Sequence, residues 1–368
     1  MLSPILLVIV LLYSLLVVAL AVGVCITFGE KGKSNGKVKS VSVIVPFRNE
    51  AENLVGLISV VNSQTLSPDL WEVILVDDGS ADSYSDSIET LIQGRNYKLL
   101  KLPLERHGKK QALLLGVSHA KNSLIVFTDA DCIPVSPRWL ERLSERSVDA
   151  VFLQGLVKVQ FLGSIWEWVD ALEYASLMAV SAGSFGIGRP VIAASANLGI
   201  STSGVAINES TIKADVPSGD DMFLLHEAKR EKVKTSFVGA IDASVLTRGS
   251  TSFSHFFKRR QRWASKSVHY TDFDTIFVGL LTLLANLAII VLLLLAVFGN
   301  VSWSRLFLVW TIKACADFLL LSAFLLFSKQ FKLMLLFIPL QLLYPFYVVI
   351  TFIKSILGVN TWKGRSIS

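Results

Sequence analysis

Ser123-Leu124-Ile125-Val126-Phe127-Thr128-Asp129-Ala130-Asp131-Cys132-Ile133-Pro134 is the stretch around which the rest of the sequence arranges itself. Leu124 to Phe127 is a short apolar and β-branched run of the kind buried in a sheet, and Pro134 cannot continue a ladder. Two carboxylates stand between them. Period-two geometry predicts Asp129 and Asp131 on one side of the strand end, within reach of one cation. Hard divalent ions take carboxylate oxygens and keep other positions open for phosphates. A strand ending in Asp-x-Asp is therefore an expected diphosphate–metal site. In isolation the same pattern is more often a loop with two solvated acids, so the flanking sequence has to decide.

Moving outward, the chain of 368 residues is 52% hydrophobic, with a mean hydropathy of +0.56. That excludes an ordinary soluble domain. Met1 to Gly29, Thr275 to Ser304 and Leu333 to Ile353 are long apolar runs, and Leu306 to Phe327 is interrupted only by Lys313 and Asp317. Each reaches the roughly 20 residues a helix needs to cross a bilayer. The first run lacks a basic start and exceeds a signal peptide's apolar core, which predicts a retained anchor. Lys31, Lys33, Lys37 and Lys39 follow it, and Lys258 to Lys266 precede the second run. Basic flanks of this kind place the intervening domain in the cytoplasm, and their position beside the membrane argues against nucleic acid as partner. Cys25, Cys132 and Cys315 show no disulfide or metal spacing.

From Val41 the pattern alternates. Strands are predicted at Val41–Pro46, Glu72–Val76, Lys98–Leu102 and Leu124–Thr128, with helices at Glu50–Asn62, Ser83–Gln93 and Lys110–Lys121. A βαβ succession implies an α/β fold with a mostly parallel, Rossmann-like sheet and its ligand site at the strands' carboxyl ends. Val151–Phe161 reads as one more strand, Ile165–Ala182 as an aromatic-rich helix and Ser218–Arg230 as a helix with an acidic start.

Three junctions fall where such a sheet exposes its ligand face. Val43 to Pro46 runs through Phe47 and Arg48 to Asn49 and Glu50. Val73 to Val76 ends in Asp77-Asp78-Gly79-Ser80, where carboxylates can accept from a base N–H or from ribose hydroxyls. Gly108-Lys109-Lys110 opens a helix, where a lysine and free amides suit an anion. For each lysine the plain alternative is a solvated surface charge.

Together with Asp129-x-Asp131, these motifs resemble, in order and spacing, the GT-A catalytic domain of family 2 glycosyltransferases, from about Val41 to Trp263. The resemblance implies that Pro46, Asn49, Glu50, Asp77, Asp78, Lys109 and Asp129 bind the nucleotide sugar, expected to be a UDP-sugar. It also implies that Asp131, helped by Asp129, holds Mg²⁺ or Mn²⁺. Gly219-Asp220-Asp221 resembles the acidic pair before the acceptor helix. Asp221 is then the base that takes the acceptor's proton, and Asp220 its capping or supporting neighbour. A helix cap is the commoner role for an Asp at such a place. In Phe256-Phe257-Lys258-Arg259-Arg260-Gln261-Arg262-Trp263 the family's (Gln/Arg)-x-x-Arg-Trp signature is matched by Arg259, Arg262 and Trp263. The resemblance sets the arginines toward the leaving diphosphate and the indole in the acceptor pocket. Arg rather than Gln at 259 is the form seen in ceramide glucosyltransferase-like members, whereas most polysaccharide synthases have Gln.

The expected organisation is an anchor at 1–29, a GT-A domain at 38–250, an amphipathic interface helix at 251–272, transmembrane helices at 273–357 and a basic tail at 358–368. The expected activity is inverting, metal-dependent transfer of a sugar from a nucleotide diphosphate sugar to a lipid acceptor at the cytoplasmic face of a bacterial inner membrane. A processive polysaccharide synthase is the alternative. The sequence does not indicate the oligomeric state.

Overall fold

Seven strands assemble into one sheet, and the four strands predicted around Asp129 make up its parallel half. The structure, a computed structural model, describes residues 2–30, 38–82, 85–103, 105–216, 218–357, 360–362 and 365–367. Lys31, Lys33 and Lys37, Ser83 at the predicted start of the second helix, and Lys363 of the tail lie outside the described residues.

The chain runs through α1 (Leu2–Gly29), β1 (Val41–Phe47), α2 (Ala51–Asn62), β2 (Trp71–Asp77), α3 (Ser85–Ile92), β3 (Tyr97–Lys101) and α4 (Lys109–Ser118). It continues with β4 (Leu124–Phe127), β5 (Ile133–Pro134), α5 (Trp139–Arg146), β6 (Phe152–Gly155), β7 (Val157–Gln160) and α6 (Ile165–Gly186). Then come β8 (Leu198–Ser201), α7 (Asp220–Arg230), β9 (Thr235–Val238), β10 (Val245–Arg248) and α8 (Phe253–Ala264). The last helices are α9 (Phe273–Val297), α10 (Trp303–Phe327) and α11 (Phe337–Leu357). Two compact units result, one of Phe28–Gln160 with Ile192–Arg248, the other of Met1–Thr27 with Phe161–Val191 and Gly249–Ser368.

The first unit holds the sheet, in the order β3-β2-β1-β4-β8-β6-β9. Every residue of β1 is buried, as expected for a parallel strand covered on both faces. After β1 the chain builds outward through β2 and β3, then returns to β4 on β1's other side. The space beyond the carboxyl ends of β1 and β4 is thus a topological switch point, where open α/β sheets bind ligands. Only β8 is antiparallel to its neighbours in this sheet, pairing with both β4 and β6.

The single strand predicted over Val151–Phe161 is two. The break at Leu156 lets β6 stay in the large sheet while β7 joins a small one, in the order β5-β10-β7. Gly155 makes this turn possible, because a Cβ there would lie 2.2 Å from the Asn197 side chain. Asn197 itself is fully buried and saturated. Its amide donates to the Leu156 and Ala243 carbonyls at 3.1 and 2.9 Å, and its oxygen accepts from Trp139 Nε1 at 3.0 Å.

The second unit holds four helices long and apolar enough to cross a membrane: Pro4–Gly29, Phe273–Val297, Trp303–Phe327 and Phe331–Ser355. The last begins with a 3₁₀ turn at Phe331–Leu336 and carries Pro345 within its α-helical part. Leu6 and Val10 of α1 pack with Ile289 and Leu292 of α9 and Val309 of α10. Asp317 accepts hydrogen bonds from Lys313, Tyr13 and Gln341, each at 2.7 Å, so one carboxylate ties α1, α10 and α11 together. α1 also meets α6 closely. Cβ atoms on Gly23 and Gly183 would come within 2.0 Å of the Gly183 oxygen and 2.4 Å of the Leu20 oxygen, respectively. Thr27 donates to the Ala182 carbonyl at 2.8 Å.

Candidate functional site

At the end of β2 the two acids turn inward and organise the surrounding loops. Asp77 Oδ1 accepts the Ser80 amide at 2.8 Å, and Asp78 Oδ1 accepts the Gly108 amide at 2.9 Å. Gly108 has φ +100°, a backbone region strained for any residue with a Cβ, so glycine lets α4 start directly against Asp78. At the end of β1, Asn49 adopts φ +53°, its amide donating to Ser80 Oγ and its side-chain oxygen accepting the Ala81 amide. Arg48 reaches the Asp78 carbonyl at 3.2 Å. Glu50 precedes α2 and accepts from the Asn53 side chain. Pro46 is buried in β1 opposite Val76, one residue from the strand's end. Asn49, Asp77 and Asp78 of the two loops are thus tied together through Ser80, Ala81 and Arg48.

Asp129 and Asp131 come together by a different route from the one the period predicts. β4 ends at Phe127, and the chain turns at once, with the Cys132 amide donating to the Asp129 carbonyl at 3.0 Å. A turn rather than a continued strand gathers the two carboxylates; it follows Thr128, whose amide still bonds the Ile44 carbonyl of β1 at 3.3 Å and whose hydroxyl donates to the Ala196 carbonyl at 2.9 Å. Asp129, Asp131 and Cys132 each offer a ligand atom within 4.8 Å of the others.

Lys109, the first residue of α4, lies against this turn. Its Nζ donates to Asp129 Oδ1 at 2.6 Å and to Ser195 Oγ at 2.8 Å. Burial works against its charge, but Asp129, Asp220 and Asp221 outweigh that and hold its pKa above the usual lysine value. Ser195 links the acidic pair that opens α7 to this ammonium, since its hydroxyl accepts from Lys109 and its amide donates to Asp221. Asp221 Oδ1 accepts the Met222 amide at 2.8 Å and its Oδ2 accepts the Ser195 amide at 3.3 Å, while Asp220 is buried. Gly219, at φ +92°, caps the helix without a side-chain bond. Within this unit the fold thus brings Lys109, Asp129, Asp131, Ser195, Asp220 and Asp221 into one polar cluster.

Whether the cluster suits a divalent ion is a matter of donor chemistry. Carboxylate oxygens from Asp129 and Asp131 fit Mg²⁺ or Mn²⁺. Cys132 does not, because burial and then the two neighbouring carboxylates push its pKa well up and keep it a thiol. Asp129 already shares its charge with Lys109, which leaves a small hard-oxygen set of the kind that relies on substrate phosphates to complete a coordination shell.

The Arg-x-x-Arg-Trp segment belongs to the second unit, on α8. Arg259 pairs with Asp170 of α6 at 3.0 Å. Arg260, between the signature positions, is buried and pairs with both Asp170 and Glu173 at 2.5 Å. Its guanidinium also lies 4.3 Å from the centre of the Trp263 ring, and Tyr174 meets the same ring edge-on. Burial opposes the charge on Arg260, yet Glu173 and Asp170 raise its pKa, while burial raises that of Glu173. Burial and then Arg259 lower the pKa of His255. Arg262 lies on the last turn of α8. Sequence reasoning passed over Asp170, Glu173, Arg260, Ser195 and Asn197. For the first two a signal was present, namely acids at three-residue spacing, Glu167, Asp170 and Glu173, in a largely apolar helix. Ser195 and Asn197 gave none, because their partners are 86 and 58 residues away in sequence.

The sheet order, the acidic strand ends and the facing lysine define an α/β domain with a charged ligand face at its switch point. Residues 42–172 match the family model described as Glycosyl transferase family 2, and that segment is a family 2 glycosyltransferase domain. The chain is 32% identical over 124 residues to undecaprenyl-phosphate 4-deoxy-4-formamido-L-arabinose transferase of Salmonella choleraesuis (strain SC-B67), covering 33% of this chain and 37% of the relative. It is 33% identical over 115 residues to glycosyltransferase AglE of Haloferax volcanii, covering 30% of this chain and 38% of the relative. The match thus spans little more than a third of the length of either. The mannosyltransferase PcManGT from Pyrobaculum calidifontis, solved in complex with GDP-Man and Mn²⁺, shares the fold. Its TM-score is 0.62 at 14% identity, over 97% of this chain and 99% of that one.

Proposed function

We propose that this protein is a membrane-anchored glycosyltransferase that moves a sugar from a nucleotide diphosphate sugar to a lipid acceptor at the cytoplasmic face of its membrane, with inversion at the anomeric carbon. The observation that carries the reading is the single cluster of Lys109, Asp129, Asp131 and Asp221 at the switch point of the sheet. It combines a cation, an Asp-x-Asp turn and a separate carboxylate at a helix start. Asp77 and Asp78 hold the base and ribose, and the loop amides they fix shape that pocket. Asp131 and Asp129 hold a divalent ion, which supplies charge neutralisation for the departing nucleoside diphosphate. Lys109 contributes a fixed positive charge to the same diphosphate. Asp221 accepts the proton of an acceptor hydroxyl as that oxygen attacks. The family resemblance gives Arg259 and Arg262 contacts to the leaving diphosphate and gives Trp263 a place in the acceptor pocket. Four candidate membrane helices favour a lipid as the acceptor.

A second reading of the acceptor comes from the Salmonella relative, whose name specifies undecaprenyl phosphate. A phosphate oxygen is already largely ionised at neutral pH, with its second pKa near 6, and needs no base. The donor half of the proposal is tested by Asp131→Asn. Calorimetric titration of a nucleoside diphosphate into the parent should show binding that Mn²⁺ strengthens. Asp131→Asn should lose that dependence and its transfer activity while keeping its fold. Binding indifferent to both metal and substitution would remove the proposed diphosphate site.

A further inference from the structure

Lys109 and Lys110 are adjacent, but the structure gives them different surroundings. Lys109 faces the acidic cluster, as described above. Lys110 points into the first unit and is only 4% exposed. Its Nζ donates to the backbone carbonyls of Ile212 and Lys213, both at 2.6 Å. The ammonium also lies 4.8 Å from the centre of the Phe223 ring, which carries Lys213 Nζ at the same distance. Ile212 and Lys213 belong to the segment that delivers the chain to Gly219, and Phe223 is two residues beyond Asp221 on α7. Lys213 adopts φ +46°, an uncommon conformation for a residue with a side chain.

A buried ammonium demands strong partners, since an unpaired charge in the interior is costly. Here two carbonyls and an aromatic face supply them, and all three belong to the approach to α7 or to its first turns. We infer that Lys110 is a positioning residue. It latches the approach to α7 onto the start of α4 and so fixes Asp221 and Asp220 relative to Lys109 and Asp129. Consecutive residues on one helix turn thereby divide the work, Lys109 holding the Asp129 side of the cluster and Lys110 holding the α7 side. The inference deepens the proposed function, since it rests on Asp221 acting on the acceptor. It does not concern donor binding, which uses other residues.

The test compares the full-length parent, Lys110→Met and Lys110→Arg in lipid nanodiscs. Amide hydrogen exchange is followed across residues 205–230, together with transfer kinetics and nucleoside diphosphate affinity. Local opening sets such exchange, so losing the latch should accelerate exchange in the first turns of α7 while leaving the β1 and β4 amides as in the parent. Misplaced reacting groups cost rate, so kcat of Lys110→Met should fall by roughly 10–10²-fold with nucleotide affinity unchanged. Lys110→Arg, which restores a cation with several donors, should recover much of both. If Lys110→Met does not accumulate as folded protein, Lys110→Gln, which keeps a polar tip without the charge, takes its place. Parent-like exchange at α7 in the neutral variant would overturn the inference. So would equal impairment of the Met and Arg variants, since the site would then require lysine's shape rather than its bonds. Should the parent itself transfer no sugar, the functional reading falls, while the exchange comparison still decides whether the latch exists.

Discussion

Asp221 accepts two backbone amides, its own neighbour's and that of Ser195, and Ser195 links it to the Lys109 ammonium. These contacts suit a capping carboxylate and also a carboxylate poised to receive a proton, so geometry alone gives it two employments. Chemistry separates them. Asp221→Asn keeps the shape and removes proton acceptance, and with a hydroxyl acceptor transfer should fall by roughly 10²–10⁴-fold. Nucleotide affinity and slow hydrolysis of the donor should persist. With a phosphate acceptor the same variant should transfer close to the parent's rate. Parallel assays of Asp221→Asn on hydroxyl-bearing and phosphate-bearing lipids therefore read out the acceptor's nucleophile. The acidic residues of this cluster were legible in sequence because each stands at a strand end or helix start, where local pattern is informative. Lys110 was not. A lysine at a helix start reads as surface charge, and only the tertiary approach of Ile212, Lys213 and Phe223 buries it.

Among the elements, those with local signals were placed by sequence and those defined by distant partners were not. β1, β2 and β4 are mostly apolar runs bounded by polar turns, and their edges fall within a residue or two of expectation. β8 gave no signal, because Leu198-Gly199-Ile200-Ser201 is short and contains a glycine, and it becomes a strand only between β4 and β6. The predicted strand over Val151–Phe161 is broken by a demand from outside itself, the space taken by Asn197. α1 and α6 show the same dependence. Their contact requires backbones close enough that a Cβ on Gly183 would meet the Leu20 carbonyl oxygen at 2.4 Å. Gly183→Leu should therefore destabilise the protein by about 1–3 kcal/mol or more through overpacking. Gly29→Ala, where nothing lies within 4 Å of the added carbon, should leave thermal stability unchanged. Thermal unfolding of both variants in the same detergent is the check, and equal behaviour would mean that the close contact contributes nothing.

At the scale of the whole molecule, the chain joins a sheet unit carrying the acidic cluster to a helical unit carrying four candidate membrane spans and the Arg-x-x-Arg-Trp helix. Composition announced the spans, because long apolar runs need no partner to be recognised. The buried pairs of Arg259 and Arg260 with Asp170 and Glu173 were not legible, since an arginine run before a membrane segment reads equally well as lipid-facing charge. Transfer of a sugar from a nucleotide diphosphate donor to a lipid is read out by supplying the parent, reconstituted in nanodiscs, with radiolabelled nucleotide sugars, Mn²⁺ and a lipid extract. Label should appear in a discrete lipid-soluble product that is absent with Asp131→Asn. Label in a chloroform-insoluble ladder that lengthens with time, or none in any fraction with any donor, would contradict the proposed transfer.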